Sequence, residues 1–272
     1  MFWIDLCIKT NIIFMTIPVQ QLSNNTSRFS NRARNYASFR PGYPAEIFPF
    51  LEKELQLNQN AKIVDIGSGT GLFAGPILKL GYAVTGIEPN HDMRKVGEER
   101  LNKFPLFSSV DGTAEQTGLD SSSVDLITIA QTFHWLDPVA AKQESRRILR
   151  PGGKVVLAWN RQNAATGFEQ RFNELKEKYR IADRVTDQVD DSLITDFFAP
   201  NKVFSKTFPN RQLLDFDALK GQLLSKSYIP LPGHALYDDM ITELIQLFIQ
   251  YNENGLVQIE YETLLIWGLL DE

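Results

Sequence analysis

Two hydrophobic rhythms alternate along the chain. Short apolar, β-branched runs read as strands: "AKIVDI" (61–66), "YAVTGIE" (82–88), "LFSSV" (106–110), "VDLITIA" (124–130) and "KVVLAWN" (154–160). Between them lie stretches of helical character. "LFAGPILKL" (72–80) opens one helix and "HDMRKVGEERLNK" (91–103) forms another. A third is "PVAAKQESRRIL", with Asp137-Pro138 as N-cap and first helical residue and Pro151-Gly152-Gly153 as its stop. Strands that are apolar throughout are buried on both faces. Separated by helices, they predict a parallel sheet covered on both sides.

After Asn160 the rhythm changes. Residues 161–200 are polar and mostly helical in pattern, with Asp183, Asp187, Asp190 and Asp191 scattered among them. "KVFSKTF" (202–208) reads as a strand and "LYDDMITELIQLFIQYN" (236–252) as a long amphipathic helix followed by Gly255. "LVQIEYETLLIW" (256–267) is the final strand. No internal repeat or low-complexity linker interrupts this. The expectation is one α/β domain over residues 28–272, with a helical insertion at about 161–200 acting as a cap.

The segment before it, "MFWIDLCIKTNIIFMTIPVQ", is apolar but broken by Asp5, Lys9, Thr10 and Asn11. No run reaches the ~18 apolar residues of a membrane span. A basic leading region and a small-residue cleavage site, the marks of a secretory signal, are both missing. Two readings stay open: a loosely attached leader over 1–27, or translation from Met15 with residues 1–14 lying upstream.

Composition narrows the class. At 272 residues, 43% hydrophobic and 22% charged, the chain suits a globular protein with a sizeable core. A formal charge of −5 argues against a nucleic-acid-coating surface. Cys7 is the sole cysteine, so no internal disulfide can form and a reducing, cytoplasmic setting is expected. One Cys and the scattered His91, His134 and His234 argue against a structural zinc site, and no metal is expected. A monomer or homodimer with neither nucleic acid nor membrane as partner is the expectation.

The stretch "KIVDIGSGTGLFAGPI" carries the chemistry. No Lys follows Gly71, which excludes a Walker phosphate loop. A dinucleotide fingerprint would place its third glycine at position 72, where Leu72 stands. The spacing is instead Asp65, Gly67, Gly69 and Gly71 at a strand-to-helix turn.

"VDIGSGTG" resembles the first motif of class I S-adenosylmethionine-dependent methyltransferases, and further landmarks follow in order. Glu88 ends the second strand in "GIEPN". "DGTAEQTGL" (111–119) is similar to the family's adenine-contacting segment, "VDLITIAQTFHWLD" (124–137) to its fourth strand and loop, and "ILRPGGKVVLAWN" to its fifth-strand signature. "YASFRPGYP", "FHWLD" and "IEYET" resemble the small-molecule branch that includes trans-aconitate methyltransferase-like (type 11) proteins. The resemblance implies a Rossmann-like, doubly wound sheet of seven strands, mostly parallel with an antiparallel last strand. The implied cofactor is S-adenosyl-L-methionine.

That molecule has no pyrophosphate but offers an ammonium, a carboxylate, a ribose diol and an adenine. Asp65 is placed for the ammonium, and the glycines let the backbone approach the methionine portion. Glu88 suits the two ribose hydroxyls. The resemblance adds Ser68, Pro89, Ala114, Glu115, Gln131 and Trp135 to the cofactor site. It makes His134 the candidate general base, since His titrates in the useful range. "RFSNRARNYASFR" holds four Arg and no acid, with Phe29, Ala33 and Tyr36 on one helical face. It reads as a basic helix on the domain edge, as a weak nucleic-acid patch or, by resemblance, as a lid that brings Tyr36, Arg40 and Tyr43 to the cofactor or acceptor. An NAD-linked oxidoreductase and a non-catalytic S-adenosylmethionine-binding protein are the alternatives to a methyltransferase. An acidic acceptor, a carboxylic acid methylated on oxygen, fits a locally positive pocket mouth.

Overall fold

A computed structural model describes residues 29–162, 164–182 and 191–270. The leader at 1–27, Arg28, Asp183, Asp187 and Asp190 lie outside the described residues. The helices are α1 (Ala33–Phe39), α2 (Ile47–Leu55), α3 (Ala74–Lys79), α4 (His91–Leu101), α5 (Pro138–Ile148), α6 (Gly167–Lys178), α7 (Asp191–Phe198), α8 (Phe216–Leu224) and α9 (Tyr237–Tyr251). The strands are β1 (Lys62–Ile66), β2 (Ala83–Ile87), β3 (Phe107–Val110), β4 (Val124–Ala130), β5 (Leu149–Gln162), β6 (Val203–Leu214) and β7 (Val257–Leu269). They form one sheet in the order β3-β2-β1-β4-β5-β7-β6. The pairs from β3 to β5 are parallel, whereas β7 runs antiparallel to both neighbours.

Consecutive residues of the inner strands feed two different cores. Val64, Ile127, Val155 and Leu157 pack on one face with Ile148 of α5 and Phe197 and Phe198 of α7. Ile63, Leu126 and Val156 pack on the other with Leu51 of α2 and Ile77 of α3. A strand serving both layers has no solvent face, which explains its unbroken apolar run.

Three details depart from the sequence expectations. Pro151-Gly152-Gly153 lies inside β5, next to a register irregularity between Val124 and Leu126, and α5 already ends at Ile148. β6 continues past Pro209 to Leu214, which is compatible with an edge strand. The cap is also not confined to 161–200. Its core joins Phe172 and Leu175 of α6 to Leu219 and Leu223 of α8, and to Met240 and Leu244 of α9, over Ile259 of β7. α7 belongs to the main core instead.

Strand length then positions the site. β4 ends at Ala130 opposite Ala158, while β5 runs on through Asn160, Arg161 and Gln162, paired with β7. β5 therefore projects beyond the carboxyl edge of the parallel strands, into the space under the cap.

Candidate active site

The order β2-β1-β4 reverses the direction of winding beside β1, and open α/β sheets bind ligands in the crevice at such a point. The glycine loop starts there. Gly67 (φ +64°) needs glycine twice over, because a Cβ would lie 2.7 Å from Thr132 Oγ1. Asp65 at the end of β1 is 1% exposed. Its Oδ1 accepts a hydrogen bond from Thr128 Oγ1 at 2.7 Å, and its Oδ2 is buried without a partner. Burial pushes its carboxyl up to about 7, against the opposing hydrogen bond from Thr128.

Glu88, at the end of β2, is buried and held at both oxygens. Oε2 accepts from Gly69 N–H at 2.9 Å and Oε1 from Asn90 N–H at 2.8 Å. Burial raises its carboxyl above the ordinary range, with the two backbone donors and Arg94 opposing. Two acceptances leave lone pairs for a diol. The Asn90 side chain accepts from Met93 N–H at 2.9 Å, capping α4.

After β4, Gln131 adopts a left-handed backbone (φ +61°) while its N–H donates to Ala158 O at 2.8 Å. A non-glycine residue held there marks a constrained turn. The next residues form a 3-10 turn, Phe133–Trp135. Phe133 enters the core against Trp159 and Phe197. His134 and Trp135 line the cavity instead, their rings 5.0 Å apart.

The Arg-rich segment lies across this wall. Phe29 sits edge-on to Trp135 at 6.0 Å and to Tyr36 at 5.7 Å, and Ala33 packs with Met93 and Val96 of α4. Arg32 is buried and donates to Leu224 O at 2.9 Å and Ile229 O at 2.6 Å, strapping the segment to the cap. Arg40 stacks on Tyr36, reaches Ser225 O at 3.4 Å, and keeps its Nε buried without a partner.

These walls enclose a cavity of about 1190 Å³. Asp65, Gly67, Ser68, Gly69, Glu88 and Pro89 line it, as do Ala114, Glu115, Gln131, His134 and Trp135, with Tyr36 and Arg40 at the lid. The Glu115 carboxylate also accepts from Asp137 N–H at 3.1 Å, tying the wall to the start of α5. Gly71 is a correction, as it does not line the cavity. Its glycine is required by φ +76° and by Leu101, whose Cδ1 would lie 2.5 Å from a Cβ.

The sequence reading missed the far end. Arg161 and Gln162 of β5 line it with Lys176 of α6, and Lys226 and Asp191 also face the cavity. Only the projection of β5 brings them there, and no local motif signals it. α6 is fixed by a reciprocal Thr166–Glu169 capping box, which was readable as T-x-x-E.

At the carboxyl ends of the parallel strands the cavity joins a buried carboxylate, Glu88, to a glycine turn that lacks the Lys of a Walker loop. A family model described as a methyltransferase domain matches residues 64–157. An uncharacterized methyltransferase of Bacillus mycoides is 30% identical over 174 residues, covering 56% of this chain and 80% of that protein. One from Mycobacterium bovis is 32% identical over 160 residues. The match takes in 58% of this chain and spans 63% of that relative's length. The fold matches an Anaeromyxobacter dehalogenans structure assigned as a type II methyltransferase, with TM-score 0.64 and 19% identity over 85% of this chain and 97% of that one. It also matches geranyl diphosphate C-methyltransferase from Streptomyces coelicolor at TM-score 0.50 and 14% identity, over 93% and 99% of the chains. The chain belongs to the class I S-adenosylmethionine-dependent methyltransferases of the type 11 kind.

The residues present fit S-adenosylmethionine. The unpartnered Asp65 Oδ2 suits an ammonium donor, and Glu88 keeps acceptor capacity for two hydroxyls. Among the described residues, no group of three or more His, Cys, Asp or Glu is placed to hold a metal ion. No helix of the described residues is long and apolar enough to cross a membrane.

Proposed function

We propose that the protein transfers a methyl group from S-adenosylmethionine to a small, acidic molecule, a carboxylic acid. The observation behind this reading is a separation of charge within one cavity. Asp65, Glu88 and Glu115 line the end formed by the carboxyl edges of the strands, and Arg40, Arg161, Lys176 and Lys226 line the lid and cap end, with Asp191 among them. At about 1190 Å³ the space exceeds the ~300–1,000 Å³ of a single-ligand pocket, leaving room for donor and acceptor together.

When bound, S-adenosylmethionine supplies an electrophilic methyl group on a sulfonium. Asp65 would receive its ammonium, Glu88 its ribose hydroxyls, and the wall at Ala114 its adenine. Tyr36 and Trp135 cover the site and exclude water, which strengthens every charge contact within it. The chain then chiefly has to hold two molecules in line, a contribution worth up to roughly 7–11 kcal/mol when the alignment is good. His134 faces the acceptor side as the candidate proton acceptor, used only where the nucleophile carries a proton.

The test is incubation with tritium-labelled methyl donor and a small-metabolite extract, beside calorimetry with S-adenosylhomocysteine. Label appearing in the small-molecule fraction supports the reading. Homocysteine-nucleoside binding without label transfer indicates a non-catalytic binder, and binding of NADH in its place overturns the assignment.

A further inference from the structure

The chain between β3 and β4 walls the cavity through Thr113, Ala114, Glu115 and Gln116. It belongs to no strand or helix, so hydrogen bonds must fix its shape. Thr113 and Gln116 close one turn on themselves, each N–H donating to the other's carbonyl, at 3.1 and 3.3 Å. The start of the segment is held by Arg94 of α4, which donates to Asp111 Oδ2 at 2.9 Å and to Glu88 O at 2.8 Å. The other end depends on α5.

The buried residues of α5 are Ala141, Glu144, Ser145 and Ile148, the stripe that an amphipathic helix turns inward. Glu144, 9% exposed, puts a carboxylate into that stripe, where an apolar side chain would cost less. Hydrogen bonds offset the burial. Oε1 accepts from Thr117 N–H at 2.8 Å, from Thr117 Oγ1 at 2.5 Å and from Arg147 Nη2 at 2.8 Å. Oε2 accepts from Arg147 Nε at 2.7 Å. Arg147 Nη2 donates to Leu119 O as well, at 2.7 Å. The Arg147 guanidinium holds the Glu144 carboxyl down to about 2, so it stays an ionised acceptor. Thr117 is 1% exposed and directly follows Gln116 of the cavity wall. Its two donors converge on one oxygen of α5, and the wall is pinned there.

Resting on the methyl-transfer reading above, we infer that Glu144 is a positioning residue for the donor's nucleobase, acting through Thr117 to fix the wall at Ala114–Gln116 so that it selects adenine. Glu144 itself touches no ligand. Its pairing with Arg147, three residues on along the same helix, would form wherever the loop lay; the bonds to Thr117 carry position into the cavity. Adenine bears an amino donor where hypoxanthine bears an acceptor oxygen. A wall of fixed polar groups separates the two bases, and a loosened wall does not. An amide at position 144 could still receive both Thr117 donors through its oxygen, while Arg147, 41% exposed at its side chain, turns to water. Stability and base selection therefore come apart.

The experiment is calorimetry of the full chain with S-adenosylhomocysteine and S-inosylhomocysteine, beside thermal melts. The wild type is expected to prefer the adenosyl compound. Glu144→Leu should weaken that compound about fivefold or more and the inosyl compound about twofold or less, so that the preference narrows. Thr117→Val keeps the Glu144–Arg147 pair whole and should narrow the preference in the same direction, which covers a Glu144→Leu chain that fails to fold. Glu144→Gln should melt at a lower temperature, having lost the ion pair, and yet keep the wild-type preference. Equal weakening of both compounds in Thr117→Val, an unchanged preference there, loss of preference in Glu144→Gln, or a wild type without preference overturns the assignment. A wild type that binds neither compound counts instead against the methyl-transfer reading.

Discussion

The carboxylate of Glu88 and the backbone N–H of Gly69 are joined by a 2.9 Å hydrogen bond that locks the glycine loop to the end of β2. The residue proposed to receive the ribose thus also shapes the glycine loop. Glu88→Ala removes both roles. Hydrogen bonds to a charged group are each worth about 1.5–3 kcal/mol, and about 1.4 kcal/mol is tenfold in affinity. Calorimetry should show S-adenosylhomocysteine binding weakened tenfold or more, with Glu88→Gln falling between the two.

Asp65 gives the empty protein a pH signature. Its folded carboxyl sits at about 7, above the ordinary value of 3.8, because burial outweighs its hydrogen bonds. Between those values the folded state holds a proton that the unfolded state has released. Its contribution to stability is therefore present at low pH and lost as pH rises from about 4 to about 7. Thermal melts of the ligand-free protein should show that loss, and Asp65→Asn should flatten it. Affinity for the ammonium-bearing cofactor should move the opposite way, rising from pH 6 to 8 as Asp65 ionises. A wild-type binding curve flat over that range would remove Asp65 from the ammonium site.

His134 separates the two acceptor chemistries by magnitude. General bases typically contribute 10²–10⁴-fold. With a carboxylate acceptor, His134→Gln should lower turnover less than tenfold and leave cofactor affinity unchanged. A loss of a hundredfold or more, together with disappearance of the acidic limb of the pH–rate profile, would establish the histidine as a base.

Arg32 is the strap between lid and cap. Arg32→Ala leaves the carbonyls of Leu224 and Ile229 without their donor, at a cost of about 1–3 kcal/mol for each that stays buried. The expected outcome is a lower melting temperature and faster proteolysis within residues 29–40. Arg32→Lys, with one compact ammonium, should recover part of it. Unchanged melting and protease resistance would show that the strap is dispensable.

The central sheet was legible because β1, β4 and β5 serve two cores at once and so carry uninterrupted apolar runs. Asp65, Gly67 and Glu88 were legible because a turn and a strand end sit at fixed spacing from one another. The cap was not. Phe172, Leu219 and Leu244 are far apart in the chain, and they meet only where α6, α8 and α9 pack together over β7. Arg161 and Gln162 carry no motif, and their placement depends on β5 outrunning β4, a difference in strand length that local patterns do not encode. Gly71 misled for another reason, since its spacing matches cofactor-contacting glycines while the space beside it is filled by Leu101.

The position of β7 between β5 and β6 has a consequence for biosynthesis. The ribosome delivers β5 and then β6, yet these strands never touch, and each waits for β7 as its partner. At about 5–20 residues per second, the free edge of β5 stays open for several seconds while α6 to α9 are made. That edge carries Val156, Leu157 and Trp159, apolar on both sides, and is the surface on which a nascent chain would aggregate or engage a holdase. A chain stopped before Val257 would keep Asp65 and Glu88 and still be unable to close its sheet.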